Sequence, residues 1–63
     1  MTGPMLQRLR KERRMTIDEL AAEAQVTRFY ITRLESGLQT NPPLPVLQRL
    51  AKALGVELGE LVE

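Results

Sequence analysis

The sequence contains no cysteine and no histidine, and its single serine, Ser36, has no imidazole to activate it. Disulfides and thiolate metal sites are thereby excluded, and the commonest general base and the commonest zinc ligand are both missing. Nucleophilic or metal-assisted catalysis has nothing to build on, so neither an enzyme nor a bound metal or cofactor is expected. No apolar run approaches the roughly 20 residues of a membrane-spanning helix. Met1 to Met5 leads into charged rather than apolar sequence, unlike a secretion signal. A soluble protein in a reducing, cytoplasmic compartment is the expectation. Nor do Val, Ile or Thr alternate at period two, which argues against strands and leaves helices.

What is present is 63 residues, enough for one small domain over 1–63 and no more. Gly3-Pro4, Gly37, Pro42-Pro43, Gly55 and Gly59 divide the chain into short segments with apolar residues at helical spacing. A first helix is expected over residues 4–13, with Pro4 in its first turn and Met5, Leu6 and Leu9 as its apolar stripe. Thr16-Ile17-Asp18-Glu19 reads as a capping box opening a second helix to residue 24, with Leu20, Ala21 and Ala24 inward. Thr27 is the next N-cap, for a helix through Ser36 with Ile31 and Leu34 inside. Gly37 suits a left-handed C-cap. A fourth helix over 44–54 tolerates Pro45 in its first turn and turns Leu47, Leu50, Ala51 and Leu54 inward. Val56 anchors the exit, and a short helix over 58–62 closes the chain. The expected fold is all-α, a compact five-helix domain.

The formal net charge of +1 says nothing about partners, but its distribution does. Five positive and one negative charge fall in residues 1–14, residues 15–26 carry three acids and no base, and positive charge returns at Arg28 and Arg33. Uneven charge of this kind fits a single basic face, and equally a solvated helix surface. The second and third helices are separated by little more than Gln25-Val26, too short a link for them to lie antiparallel, so they must cross steeply. Ala21 supplies the small side chain at the crossing, Val26 plugs the turn, and Ile31 and Leu34 brace the third helix. Leu20, Ala21, Ala24, Val26, Ile31 and Leu34 together satisfy the steric pattern of a DNA-binding helix-turn-helix. The outward remainder of the third helix is Arg28, Phe29, Thr32 and Arg33: two guanidinium groups, a hydroxyl and an apolar plate, of the kinds that read base edges.

Nearly the whole chain resembles the phage-repressor type of helix-turn-helix, the Cro/repressor or Xre-like family. The resemblance runs through Leu6 with Leu9-Arg10, Met15 to Ala21, Val26-Thr27-Arg28, Ile31 to Gly37 and Asn41-Pro42. It closes with Leu44, Leu47 and the run LAKALGV ending at Val56. It implies a five-helix fold, a double-stranded DNA operator as partner, homodimeric binding to two-fold half-sites and a prokaryotic or phage setting. It also implies an ion pair between Arg10 and Glu35, structural and partly buried. The chain departs from the family at several places. Ile17 stands where glutamine is usual, so a polar contact there is either lost or replaced by packing against a sugar or a thymine methyl. Gln25 stands where glycine is usual, in a left-handed conformation that costs a non-glycine residue roughly 1 kcal/mol. Arg14 also replaces a frequent glycine, Pro43 replaces a serine or threonine cap, and the loop after Gly37 is one residue longer than usual.

These readings assign base contacts to Arg28, Phe29, Thr32 and Arg33. Backbone contacts are assigned to Thr16, Ile17, Thr27, Tyr30, Gln39 and Thr40, because helix N-termini and exposed loop amides meet phosphates. Tyr30 keeps two roles open, a ring flanking the core and a hydroxyl on phosphate. The expected function is sequence-specific DNA binding by a repressor-like transcriptional regulator. The competing reading is a protein-interaction module that keeps the fold and has lost DNA binding, favoured by the apolar Ile17 and Phe29 on the reading face.

Overall fold

The computed structural model describes residues 2–62 and contains five α-helices in order: α1 (Gly3–Glu12), α2 (Ile17–Ala24), α3 (Arg28–Ser36), α4 (Leu44–Leu54) and α5 (Leu58–Val62). Local chemistry sets most of these limits. The Thr16 hydroxyl accepts from the Glu19 amide at 3.0 Å while the Thr16 amide donates to the Glu19 carboxylate at 2.8 Å, the expected capping box. The Thr27 hydroxyl accepts from the Tyr30 amide at 3.1 Å and starts α3. Gly37 (φ 85°) and Gly55 (φ 69°) end α3 and α4 in the left-handed region. Gln25 ends α2 in the same region at φ 59°, the strained conformation that the family resemblance implied, and Arg14 (φ 56°) joins it after α1. Pro43 gives α4 no side-chain cap.

The helices pack as α1 on α3, α2 on both α3 and α4, and α5 on α4. Leu6, Leu20, Ala21, Ala24, Ile31, Leu34, Leu50, Ala51, Leu54 and Leu61 form the buried core, an aliphatic cluster drawn from every helix. Val26, Ile17, Tyr30 and Met15 flank it half-buried. Leu47 was expected fully inside but is half-buried, as are Met5 and Leu9. The fourth helix packs on α2 and α5, and Leu47 is partly buried against the core. Leu61, fully buried, takes the innermost place in α5.

The first helix begins one residue earlier than its sequence suggested, with Thr2 as N-cap accepting from the Met5 amide at 3.2 Å. The extra residue is Gly3, and it is buried against α3. A Cβ there would fall 2.6 Å from the Leu34 carbonyl oxygen and would also collide with the Glu35 carbonyl. The absent side chain is what lets the start of α1 approach the α3 backbone. Two arginines add ties between elements. Arg49 Nε donates to the Ala24 carbonyl at 2.8 Å, and Arg13 Nε to the Leu54 carbonyl at 2.8 Å. Each satisfies a C-terminal helix carbonyl that has no partner within its own helix. Arg13, the C-cap of α1, is therefore a tie between the end of α1 and the end of α4.

Two substitutions check this packing by urea titration. Gly3→Ala should lower stability by about 1–3 kcal/mol, because the collision is with backbone and cannot be relieved by a rotamer change. Leu34→Ala should cost about 2–5 kcal/mol, and Leu47→Ala less than Leu34→Ala because Leu47 is only half-buried. A loss under about 1 kcal/mol at Leu34 would contradict the core described above.

Candidate nucleic-acid interface

The outward face of α3 depends on how firmly its inward face is held. Ile31 and Leu34 are buried in the core on one side of the helix. Beside them Glu35 meets Arg10 of α1: Nε lies 2.7 Å from Oε2 and Nη2 lies 3.1 Å from Oε1, a two-point ion pair. Both side chains are nearly closed to solvent, 9% and 6% exposed. The third nitrogen, Nη1, donates to the Met15 carbonyl at 2.8 Å in the turn between α1 and α2. One guanidinium thus joins α1, the α1–α2 turn and α3. The Glu35 hydrogen bond holds the Arg10 pKa above its ordinary value despite the opposing effect of burial. No buried side-chain nitrogen or oxygen among the described residues lacks a partner.

With that side fixed, Arg28, Phe29, Thr32 and Arg33 all lie on the exposed side of α3. Phe29 is 70% exposed, an unusual position for the chain's only phenylalanine. The Arg33 guanidinium has no protein partner among the described residues, leaving its planar fork of donors open. Thr32 is modified from the sequence reading: its hydroxyl donates to the Arg28 carbonyl at 3.0 Å. Its proton is spent on the helix, so it offers an incoming base only an acceptor and a methyl group.

The residues assigned to backbone contacts divide. Thr16 and Thr27 are exposed, each at the start of a helix, and Thr40 is exposed in the loop after α3. Ile17 and Tyr30 are half-buried and pack on the core, so part of each is spent on structure. Gln39 is half-buried as well, and its amide donates to the Arg33 carbonyl at 3.1 Å, folding the loop back onto the end of α3.

Two residues escaped the sequence reading. Gln7 of α1 lines a shallow hollow with Ile17, Thr32, Glu35 and Ser36, next to the exposed face of α3. Asp18, in the first turn of α2, reaches Arg28 at the first position of α3, with Oδ1 to Nε at 3.3 Å. Ten positions apart in sequence, the two carry no local pairing signal. A tight turn that brings two helix starts together creates the contact. Among the described residues no group of acidic side chains could hold a metal ion.

Residues 6–61 match the model of the helix-turn-helix family. The chain belongs to that family. Over all 63 residues it is 35% identical to the HTH-type transcriptional regulator SlrR of Bacillus subtilis and 33% identical to the regulator SinR of the same organism. It spans 41% of SlrR and 57% of SinR, so it corresponds to about half the length of these relatives. The crystal structure of SinR in complex with DNA is similar to it throughout, with a TM-score of 0.93, 33% identity and full coverage of both chains. The expected family and five-helix, all-α fold therefore hold.

The Arg10–Glu35 pair generates a prediction of its own. Arg10→Met or Glu35→Leu should each destabilise the fold by about 3–5 kcal/mol, because the remaining group stays buried without its charge partner. The double variant Arg10→Met/Glu35→Leu should recover a large part of that loss in urea titrations, since no charge is left unpaired. Losses that simply add would contradict a buried two-point pair.

Proposed function

We propose that the chain binds double-stranded DNA sequence-specifically, as the DNA-binding part of a repressor-like transcriptional regulator. The observation that carries this reading is the exposed face of α3. Two arginines and a phenylalanine stand in solvent on a helix whose opposite side is fixed by the core and a buried ion pair. The similarity to regulators, and to SinR in its DNA complex, supports the same reading and favours it over an interaction module.

In this reading α3 lies in the major groove. Arg28 and Arg33 each offer a bidentate edge to guanine, Phe29 meets thymine methyl groups, and Thr32 supplies its methyl and an acceptor. Thr16, Thr27 and Thr40 contact phosphates, joined by Ile17, the Tyr30 hydroxyl and the Gln39 segment at the margins; these contacts set register without reading sequence. The protein acts as a homodimer on two-fold half-sites in the cytoplasm of a bacterium, with no cofactor. No helix among the described residues is long and apolar enough to cross a membrane.

Competition binding at one fixed salt concentration, against single-base variants of a preferred duplex, tests the assignments. Arg28→Ala and Arg33→Ala should each cost about 1–3 kcal/mol on the preferred site and relax the choice at one base position. Thr27→Ser, which keeps the cap, should leave base preference unchanged. If both arginine variants weakened every duplex equally, α3 would not be the reader. If the unaltered protein preferred no duplex even at low salt, the interaction-module reading would replace this one.

A further inference from the structure

The contact between Asp18 and Arg28 has no use in holding the fold together. Both side chains are more than half exposed, 65% and 62%, and ion pairs so open to solvent add little to stability. The start of α2 is already secured by the Thr16–Glu19 capping box. A carboxylate on the side that meets DNA is, moreover, repelled by phosphates. Its benefit must lie in what it does to Arg28.

Arg28 occupies the first position of α3, where the helix dipole opposes a cation, and α3 has no acidic residue in its first turn. Asp18, from α2, is the carboxylate that neutralises it. Its closest approach is to Nε, an ion-pair contact at 3.3 Å, and no hydrogen bond to the described residues engages Nη1 or Nη2, so the terminal edge of the guanidinium is left for a base. That edge matches the O6 and N7 acceptors of guanine.

We propose that Asp18 is a positioning residue that makes Arg28 a base reader rather than a phosphate clamp, and so sets the specificity of the interface. The proposal rests on the assignment of Arg28 to base reading given above. On the right site Arg28 meets guanine while Asp18 keeps its Nε. On any other duplex, Arg28 can reach a phosphate only by leaving Asp18, and the abandoned carboxylate then faces the DNA backbone alone. Non-specific binding is penalised while specific binding is spared, and specificity is the difference between the two.

The test compares the unaltered protein with Asp18→Asn, Arg28→Ala and the double variant. Each is measured at several salt concentrations on the preferred duplex, its single-base variants and an unrelated duplex. Asp18→Asn should tighten binding to the unrelated duplex about two- to fivefold more than to the preferred one, the size of an exposed ion pair. Discrimination at the base read by Arg28 should shrink by the same factor. The salt slope on the unrelated duplex should steepen by about 0.9 per protomer, one additional phosphate contact from each Arg28. In the Arg28→Ala background, Asp18→Asn should leave discrimination unchanged. Asp18→Ser, a side chain that helix N-termini favour, repeats the measurement should Asn perturb folding. Equal tightening on every duplex, with discrimination intact, would reduce Asp18 to bulk charge and overturn the proposal. That outcome differs from failure of the underlying assignment, in which Arg28→Ala itself relaxes no base position.

Discussion

The Arg10–Glu35 pair is the constraint on which the rest of the structure depends. Short helices of 5 to 11 residues have little intrinsic stability and must be placed by tertiary contacts. Leucines supply most of the burial, but they are non-directional and leave a helix free to slide or rotate by small amounts. A two-point guanidinium–carboxylate pair, nearly dry and braced by the Met15 carbonyl, allows no such freedom. It fixes the rotation of α3 about its axis, and that rotation decides which side chains face outward. Gly3 adds the matching steric condition, since only a residue without a side chain lets α1 meet the α3 carbonyls.

The arginines of this chain divide the labour that its net charge conceals. Arg10 is buried and structural. Arg13 and Arg49 satisfy carbonyls at the C-terminal ends of α4 and α2, tying elements far apart in sequence. Arg28 and Arg33 remain exposed on the face that the core leaves open. A net charge of +1 is therefore compatible with DNA binding, because the charge that matters is that of one surface, not of the chain. Asp18, 3.3 Å from Arg28, places one acid on the same surface.

Much of the fold was legible in the sequence, and the reason is that its stop and start signals are local. Thr16 with Glu19, Thr27, Gly37 and Gly55 each act within one turn of chain, so the starts of α2 and α3 and the ends of α3 and α4 follow from neighbours alone. The αL position of Gln25 was legible from the glycine usual there in the family that the chain resembles. The burial of Gly3, the full burial of Leu61 and the partial exposure of Leu47 depend on which helix covers which, and periodicity does not encode that. At the interface, the outward face of α3 followed from Ile31 and Leu34 pointing in. The spent proton of Thr32 and the Asp18–Arg28 contact required the helices to be placed first.

A helix held by its buried side and bare on the other is built to be read against something. The DNA partner proposed for it suits the open guanidinium fork of Arg33, the Asp18-paired guanidinium of Arg28 and the exposed ring of Phe29. The most direct measurement is selection of bound duplexes from a random pool, followed by sequencing, at a salt concentration where total binding is retained. A sequence-specific homodimer predicts one enriched consensus with two-fold related half-sites about one helical turn apart. Recovery of the input distribution, with no sequence enriched, would contradict it.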